Sequence, residues 1–282
     1  MRRVLLSWSS GKDSAWALHL LRRMPDVKVV ALVTSFNQSA DRVAMHAVRR
    51  SLVEAQAERV GLPLWPVELP SPCSNAIYED LMAAIWKRAA AEQITEVAFG
   101  DLFLQDIRAY RERQLEGTGL APIFPVWDLA TLPLAREMLR QGVKAKVTCL
   151  DPKKLDRTFA GREFDAAFLE ALPEAVDPCG ENGEFHTFVY DSPVFSRAID
   201  ISPGVIVERE GFVFADVVPA RRSPHAGLCA TCFHASDVTS DRGSVFIKCL
   251  LSEKNPEFPR YPRLPVENCS GWIFHNNIVA LQ

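Results

Sequence analysis

The chain has 282 residues, of which 48% are hydrophobic and 24% are charged, a balance typical of soluble globular proteins. Its formal net charge of −3 argues against a generally basic surface, so we expect no nucleic-acid partner. No run approaches the roughly 18–20 apolar residues of a membrane helix, and the apolar run Val4–Leu6 is too short for a signal peptide. We therefore expect a cytoplasmic protein without a membrane partner.

Strands and helices alternate in the first 150 residues. Apolar and β-branched runs predict strands at Arg2–Trp8, Val27–Thr34, Leu64–Leu69, Glu96–Phe99, Ile123–Val126 and Lys144–Leu150. Apolar residues at helical spacing predict helices at Asp13–Met24, Ala44–Val60, Ile77–Gln93, Ile107–Glu116 and Leu132–Gln141. This alternation indicates an α/β fold, a doubly wound and mostly parallel sheet covered on both faces. Ligands of such sheets bind beyond the carboxyl ends of the strands. Three polar clusters follow strands here, at Ser9–Ser14, Thr34–Asn37 and Gly100–Asp101.

The pattern changes after residue 150. We predict a short helix at Phe164–Leu172, strands at Phe185–Tyr190 and Phe195–Ile201, and a hairpin over Val205–Val217 that turns near Glu208–Gly211. The last segment is rich in Pro, Ser and Cys and has little periodicity. We therefore expect a nucleotide-binding domain at residues 1–150, a smaller α+β domain at 151–219, and a Cys-rich C-terminal tail module at 220–282.

The segment Ser9–Ser14, with the sequence Ser-Ser-Gly-Lys-Asp-Ser, is a candidate phosphate loop. It lies between a strand and a helix, where unpaired N–H groups and the positive end of the helix dipole favour anions. Gly11 lets a phosphate approach the backbone, and Lys12 adds positive charge. The loop lacks the first Gly of the Gly-x4-Gly-Lys-Ser/Thr pattern of kinases and GTPases. The alternative is a plain helix cap formed by Ser10 or Asp13.

Charged residues follow the strand predicted at Glu96–Phe99. Asp101 is a candidate to bind Mg²⁺ or to position an amine nucleophile. Arg108 and Arg111 lie one helical turn apart, so both can face one site, where they suit phosphate or carboxylate. The alternative is a solvated helix face with an ion pair between Arg108 and Glu112.

A second polar segment, Gly180–Phe188, includes Glu184 and His186. Alternation along a strand predicts that these two side chains share one face, where they could belong to a site. The alternative is a structural strand with a hydrogen-bonded histidine.

These segments together resemble the diphthine–ammonia ligase family, a branch of the N-type ATP pyrophosphatases. The family's marks are a Ser-Gly-Gly-x-Asp-Ser phosphate loop, a Gly-Asp-(Ile/Leu) segment before an Arg-x-x-Arg-x-Glu helix, and the motif Gly-Glu-x-Gly-Glu-(Tyr/Phe)-His-Thr. The resemblance spans about Val4–Pro219 and includes His46 before the second helix. It departs at Ser10, where the family usually has Gly, and in the cysteine-rich tail.

The resemblance implies a HUP-like nucleotide-binding domain followed by a family-specific substrate domain. It also implies that a substrate carboxylate attacks the α-phosphate of Mg·ATP, and that ammonia then displaces AMP to form an amide. The expected acceptor is a carboxylate on a protein or on a small molecule. The sequence does not decide between a monomer and a homodimer. The residues assigned to catalysis are Asp101, Arg108, Arg111, Glu112 and Glu184. Those assigned to nucleotide binding are Ser9, Ser10, Gly11, Lys12, Asp13, Ser14, Thr34, His46, Gly100, Asn182, Gly183, His186 and Thr187.

Four cysteines in the tail are candidate metal ligands: Cys229, Cys232, Cys249 and Cys269. One Cys-x2-Cys pair with two isolated cysteines is a weaker signal than two such pairs. Zn²⁺ is the first candidate and an iron–sulfur cluster the second. The alternative is four thiols without a metal.

Two other functions compete with the ligase. A tRNA-modifying enzyme that shares the phosphate loop would need a reactive cysteine, for which Cys179 is the candidate, and a basic surface that the net charge opposes. A nucleotide-binding sensor would hold ATP without catalysis. Release of pyrophosphate separates the ligase from the sensor.

Overall fold

The computed structural model of the chain describes residues 1–44, 46–220, 224–232, 234–240 and 244–273. Residue 45 of the predicted helix Ala44–Val60 therefore lies outside the described residues, as do residues 221–223, 233, 241–243 and 274–282 of the predicted tail. Contacts divide the chain into two compact units, Met1–Val218 and Pro219–Gln282. None of the described helices is both long enough and apolar enough to cross a membrane.

The first unit begins with a six-stranded sheet that is parallel apart from its third strand. Its strands are β1 (Arg2–Ser7), β2 (Val27–Asn37), β3 (Arg42–Val43), β4 (Leu64–Leu69), β5 (Glu96–Ala98) and β6 (Ala121–Ile123). The strand order is β3-β2-β1-β5-β6, and β4 also pairs with β2. The connecting helices are α1 (Lys12–Leu21), α2 (Arg50–Val60), α3 (Asn75–Ala91), α4 (Gln105–Leu115) and α5 (Thr131–Arg140). The predicted α/β fold with a mostly parallel sheet is confirmed.

Apolar side chains cover both faces of this sheet. Val4 and Leu6 of β1 belong to one buried cluster, together with residues of α1, α2 and α5. Leu5, which points to the opposite face, belongs to a second cluster with Met82 and Trp86 of α3. Burial on both faces explains why the strands are continuous apolar runs rather than alternating ones.

A second, antiparallel sheet follows in the same unit. Its strands are β7 (Lys144–Leu150), β8 (Phe185–Asp191), β9 (Ile201–Arg209) and β10 (Phe212–Pro219), and a short helix α6 (Ala166–Ala171) precedes β8. The order is β8-β7-β10-β9, so β7, which ends at residue 150, pairs within this sheet. The predicted hairpin is present and turns at Glu210 and Gly211, with φ angles of 53° and 82°.

The prediction of a helix at Ala44–Val60 is wrong at its start, because α2 begins only at Arg50. Ala47 has a φ of 54°, in the left-handed region that a right-handed helix excludes. The N–H of Val43 bonds the carbonyl of Val48, and that of Ala47 bonds the carbonyl of Val43, which closes a tight turn beside β3. The apolar residues keep helical spacing through this turn, so the sequence pattern does not predict it.

The prediction of a strand at Phe195–Ile201 is also wrong. The N–H of Ser196 donates to the carbonyl of Arg59 at the end of α2, at 2.9 Å. The N–H of Ile199 donates to the carbonyl of Tyr190, at 2.7 Å. The N–H groups of Ser196 and Ile199 therefore bond to carbonyls of two separate segments instead of the regular partners of a neighbouring strand.

The strand predicted at Ile123–Val126 lies earlier, since β6 ends at Ile123. Pro125 has no N–H to give to a ladder, and the N–H of Trp127 donates to the carbonyl of Phe124 in a turn.

The second unit, described by itself, contains the antiparallel pair β11 (Ala235–Thr239) and β12 (Val245–Cys249). A small buried cluster contains Ala226, Cys229, Cys232, Ala235 and Ile247.

Asp216 of β10 ties the second sheet to the turn before α2. Its carboxylate lies 2.8 Å from Arg42 and 2.6 Å from Arg49.

We expect Asp216→Asn to lower the free energy of unfolding by about 1–3 kcal/mol, because two guanidinium groups lose their shared carboxylate. Urea unfolding measures this loss. The control is Asp26→Asn, which breaks the exposed Arg2 pair and should lower the free energy of unfolding much less, because water screens that pair. Equal losses in the two variants would contradict this role of Asp216.

Candidate active site

A cavity of about 500 Å³ lies at the carboxyl ends of β1, β2 and β5. Three segments that the sequence assigned to one site meet there: the phosphate loop, the end of β5 with α4, and the start of β8. The predicted site residues that line it are Ser9, Lys12, Asp13, Ser14, His46, Gly100, Asp101, Arg111, His186 and Thr187.

The phosphate loop opens the N-terminus of α1 towards this cavity. The N-cap residue is Gly11, which has no side chain, so neither Ser10 nor Asp13 caps the helix. Ser9 Oγ and Ser14 Oγ lie 3.2 Å apart and both line the cavity. The first turn of the helix can therefore offer N–H groups and hydroxyls to an anion.

Strand β8 forms the support behind the loop. The N–H of Lys12 donates to Thr187 Oγ1 at 3.1 Å, and the N–H of Val189 donates to the carbonyl of Ser10 at 3.0 Å. A Cβ on Gly11 would lie 3.1 Å from the carbonyl oxygen of Thr187, which is closer than a side chain tolerates easily. The second sheet therefore fixes the shape of a loop that belongs to the first.

Lys12 points under the loop rather than out of it. Its side chain is 2% exposed, and its Nζ donates to Asp13 Oδ2 at 3.0 Å and to the carbonyl of Cys179. Burial alone would lower the pKa of Lys12, but the adjacent Asp13 carboxylate raises it above its ordinary value. Lys12 is thus a buried cation that joins the loop to the segment before β8.

Gly100 brings the end of β5 against the loop. A Cβ at this position would lie 3.1 Å from the backbone nitrogen of Ser14, so the two segments touch through backbone. Asp101 follows at once and accepts from Arg111 Nε at 3.4 Å. A carboxylate and a guanidinium therefore face the cavity beside the phosphate loop.

Two imidazoles lie against the other side of the loop. The rings of His46 and His186 have centroids 4.4 Å apart. Burial lowers the pKa of His46 well below its ordinary value and lowers that of His186 to about 4, so both are neutral at pH 7. His46 Nδ1 is buried and has no hydrogen-bond partner among the described residues.

Arg108 and Glu112 do not line the cavity with Arg111. Arg108 Nε donates to Glu112 Oε1 at 2.8 Å, and its guanidinium lies 4.9 Å and 4.7 Å from the ring centroids of Phe124 and Trp127. These contacts hold Arg108 in an ion pair and an aromatic cage on the surface of α4.

Glu184 lies just before β8 and organises the turn that leads to it. Its Oε1 accepts from the N–H of Asp177 and from Asn182 Nδ2, both at 3.0 Å. Glu184, Asn182 and the neighbouring Gly183 do not line the cavity, whereas His186 does.

Three other predicted site residues, Thr34, Ser10 and Gly11, are not part of the cavity lining. The hydroxyl of Thr34 donates to the carbonyl of Trp8 at 2.7 Å and joins the ends of β1 and β2. Ser10 is fully buried, with a φ of 70°. Together with Gly11 it forms the backbone corner of the loop.

The sequence interpretation missed Glu181, although it lies within the motif that drew attention to Glu184. Glu181 lines the cavity, and its Oε1 accepts from the N–H of Leu102 at 2.7 Å. Burial, together with the nearby Asp13 and Asp101 carboxylates, raises its pKa to about 7. An apolar wall was also missed, because its members look like ordinary core residues in sequence. It includes Val33, Leu69, Tyr78, Met82, Phe99 and Ile107.

The tail cysteines give no support to a metal centre. Among the residues that the structure describes, no group of three or more His, Cys, Asp or Glu side chains is placed to hold a metal ion. The hypothesis of a Zn²⁺ or iron–sulfur site therefore has no support in the described part of the tail. None of the described cysteines forms a disulfide.

The raised pKa of Glu181 has a consequence for stability. The folded chain binds this proton more tightly than the unfolded chain, so stability falls as pH rises from about 4.5 to about 7. We expect Glu181→Gln to remove this loss, so that its Tm exceeds that of the unmodified chain more at about pH 8 than at about pH 5. Thermal unfolding across that range measures the difference. The control is Glu170→Gln, which is exposed and should give a curve parallel to the unmodified one. A constant Tm difference for Glu181→Gln would contradict the assignment.

Comparison with known proteins agrees with the motifs. The family models for the diphthamide synthase N-terminal and C-terminal domains match residues 1–122 and 130–217. Diphthine–ammonia ligases of Mus musculus and Homo sapiens are 27% and 26% identical to the chain, over 78% of it and over 91% and 90% of their own lengths. That of Danio rerio is 27% identical, over 76% of the chain and 92% of its own length. This chain therefore belongs to the diphthine–ammonia ligase family, a family of ATP-dependent ligases.

Proposed function

We propose that this chain is an ATP-dependent amidating ligase that activates a substrate carboxylate as an acyl-adenylate and transfers it to ammonia. The observation that carries the proposal is the shared cavity, where an uncapped helix N-terminus, Asp101 with Arg111, and the His186–Thr187 segment meet. The ligase names of the relatives support an amide-forming reaction with ammonia.

The cavity is lined by polar loop residues and by an apolar wall, which suits a nucleotide. The polyphosphate would bind at the phosphate loop, with the Ser9 and Ser14 hydroxyls and the N–H groups of α1 that follow Lys12 as donors, since the Lys12 N–H is bonded to Thr187. The adenine would lie against the apolar wall around Leu69, Tyr78 and Met82. Arg111 would face the phosphate that reacts, where a planar guanidinium can contact two oxygens.

Mg²⁺ bound with the nucleotide fits the carboxylates of this cavity. Because phosphates and waters supply most of its ligands, Mg²⁺ needs only one or two protein carboxylates. Asp13 and Asp101 line the cavity and would hold it, and Asp13 Oδ1 is buried without a partner among the described residues. When bound, the ion would offset negative charge on the phosphates.

The proposed reaction has two displacement steps. A carboxylate oxygen of the acceptor attacks the α-phosphorus, the bond to the β-phosphate oxygen breaks, and pyrophosphate leaves. Ammonia then attacks the carbonyl carbon, the bond to the AMP oxygen breaks, and AMP leaves with its electron pair. The nitrogen loses a proton, for which Glu181, with a pKa of about 7 beside the loop, is the candidate acceptor. The acceptor molecule is a carboxylate on a protein or on a small molecule.

The chemistry of Cys179 disfavours the tRNA-modifying alternative. Burial raises the pKa of its thiol, and its Sγ donates to the carbonyl of Thr131 at 3.5 Å. A thiol held in its protonated form is a poor nucleophile, whereas sulfur transfer needs a thiolate.

We expect pyrophosphate to form only when ATP and an acceptor carboxylate are both present, and AMP to be released with the amide only when ammonium is added as well. A panel of carboxylates, including a diphthine-bearing protein and small acids, is incubated with Mg·ATP, and both products are measured. Binding of ATP without pyrophosphate for every acceptor would overturn the ligase and favour the sensor.

Within the loop, Ser14→Ala should weaken ATP binding about tenfold, because it removes a hydroxyl donor to a charged phosphate. Calorimetry with an ATP analogue gives the Kd. The matched control is Ser192→Ala, which removes another buried hydroxyl that does not line the cavity. An unchanged Kd in Ser14→Ala would contradict the placement of the phosphates.

A further inference from the structure

The direction of the peptide between Ser10 and Gly11 decides whether the loop can bind an anion. In a trans peptide the carbonyl and the N–H point in opposite directions. The Ser10 carbonyl points into the protein, where it accepts from the N–H of Val189 at 3.0 Å. The N–H of Gly11 therefore points the other way, and it lies 3.4 Å from Ser9 Oγ, which lines the cavity. This long bond can be exchanged for a phosphate oxygen.

Holding this direction costs backbone strain. Ser10 has a φ of 70°, in the left-handed region that disfavours residues with a Cβ. Its Oγ is buried and has no hydrogen-bond partner among the residues that the structure describes, so its side chain adds no hydrogen bond to hold it there. Contacts from another residue must therefore hold the Ser10 backbone in this conformation.

Gln56 of α2 supplies that group. Its side chain is completely buried, and its Nε2 donates to the carbonyl of Ser10 at 3.0 Å and to the carbonyl of Val189 at 2.6 Å. Its Oε1 accepts from Trp8 Nε1 at 2.8 Å, so the amide cannot rotate without losing three bonds. One side chain thus links the last residue before the loop, the strained residue of the loop, and β8.

We propose that Gln56 is a positioning residue that aims the Gly11 N–H at the nucleotide phosphates by locking the Ser10 carbonyl inward. Gln56 does not line the cavity and touches no reacting atom. It acts through the loop backbone. The inference rests on the proposed function in that it takes the ligand to be the polyphosphate of ATP.

The test compares Mg²⁺ with a non-hydrolysable ATP analogue on the unmodified chain and on Gln56→Met, by calorimetry. Methionine has similar length but cannot donate, so we expect Kd to rise about tenfold or more. Adding Ser10→Gly to Gln56→Met should recover part of that affinity, because glycine adopts the left-handed conformation without a Cβ penalty. A role in packing alone would lower Tm but would not be rescued in Kd by a change at residue 10.

Two further variants keep the outcome clear. Trp8→Phe leaves Gln56 in place but removes one of its anchors, at a residue that also lines the cavity, so it should raise Kd in the same direction. Tyr190→Phe removes the bond to Glu163, at 3.1 Å, one residue after Val189, and should lower Tm while leaving Kd unchanged. An unmodified chain that fails to bind the analogue would contradict the proposed function. A normal Kd in folded Gln56→Met or Trp8→Phe, with binding intact in the unmodified chain, would overturn this inference alone.

Discussion

The site depends on one backbone carbonyl, that of Ser10, which accepts from the Val189 N–H and from Gln56. This atom joins the phosphate loop of the parallel sheet to the antiparallel sheet behind it. The second sheet therefore forms a wall of the cavity in which we propose that the nucleotide binds. The regions matched by the two family models, residues 1–122 and 130–217, meet at this contact.

Burial determines which groups around the phosphate loop carry a charge and which are neutral. Lys12 lies beneath the loop and is bonded to Asp13 and to the Cys179 carbonyl, so it stabilises the fold and contributes only a background positive potential. His46 and His186 are neutral at pH 7 because burial lowers the pKa of each. At the loop itself, the candidate donors to an anion are therefore hydroxyls and N–H groups, which would bind phosphate without bringing several positive charges into a buried space.

The sequence predicted the parallel sheet, the loop and the approach of Gly100–Asp101, because each follows from local pattern and from strand ends meeting at one edge. The sequence did not predict the features that depend on the conformation of a single residue or on the direction of a side chain. Ala47 has a left-handed conformation, so the helix cannot include it, although the apolar residues around it keep helical spacing. The side chain of Arg108 lies against aromatic rings, which the spacing of the two arginines does not reveal. Gln56 left a usable signal, since it occupies a core position in α2 beside Val53, Ala57 and Val60, where a polar side chain needs partners.

Two buried polar atoms that have no hydrogen-bond partner among the described residues favour a bound ligand. Asp13 Oδ1 and His46 Nδ1 are both inaccessible and both lack a hydrogen-bond partner within the described residues. Each such atom costs about 1–3 kcal/mol, which a fold tolerates when a bound molecule completes the bonding. Asp13 Oδ1 needs a cation or a donor, and neutral His46 can offer an N–H to a phosphate oxygen or accept from a water. Magnesium with a polyphosphate supplies both kinds of partner, whereas an isolated anion would leave the carboxylate unsatisfied.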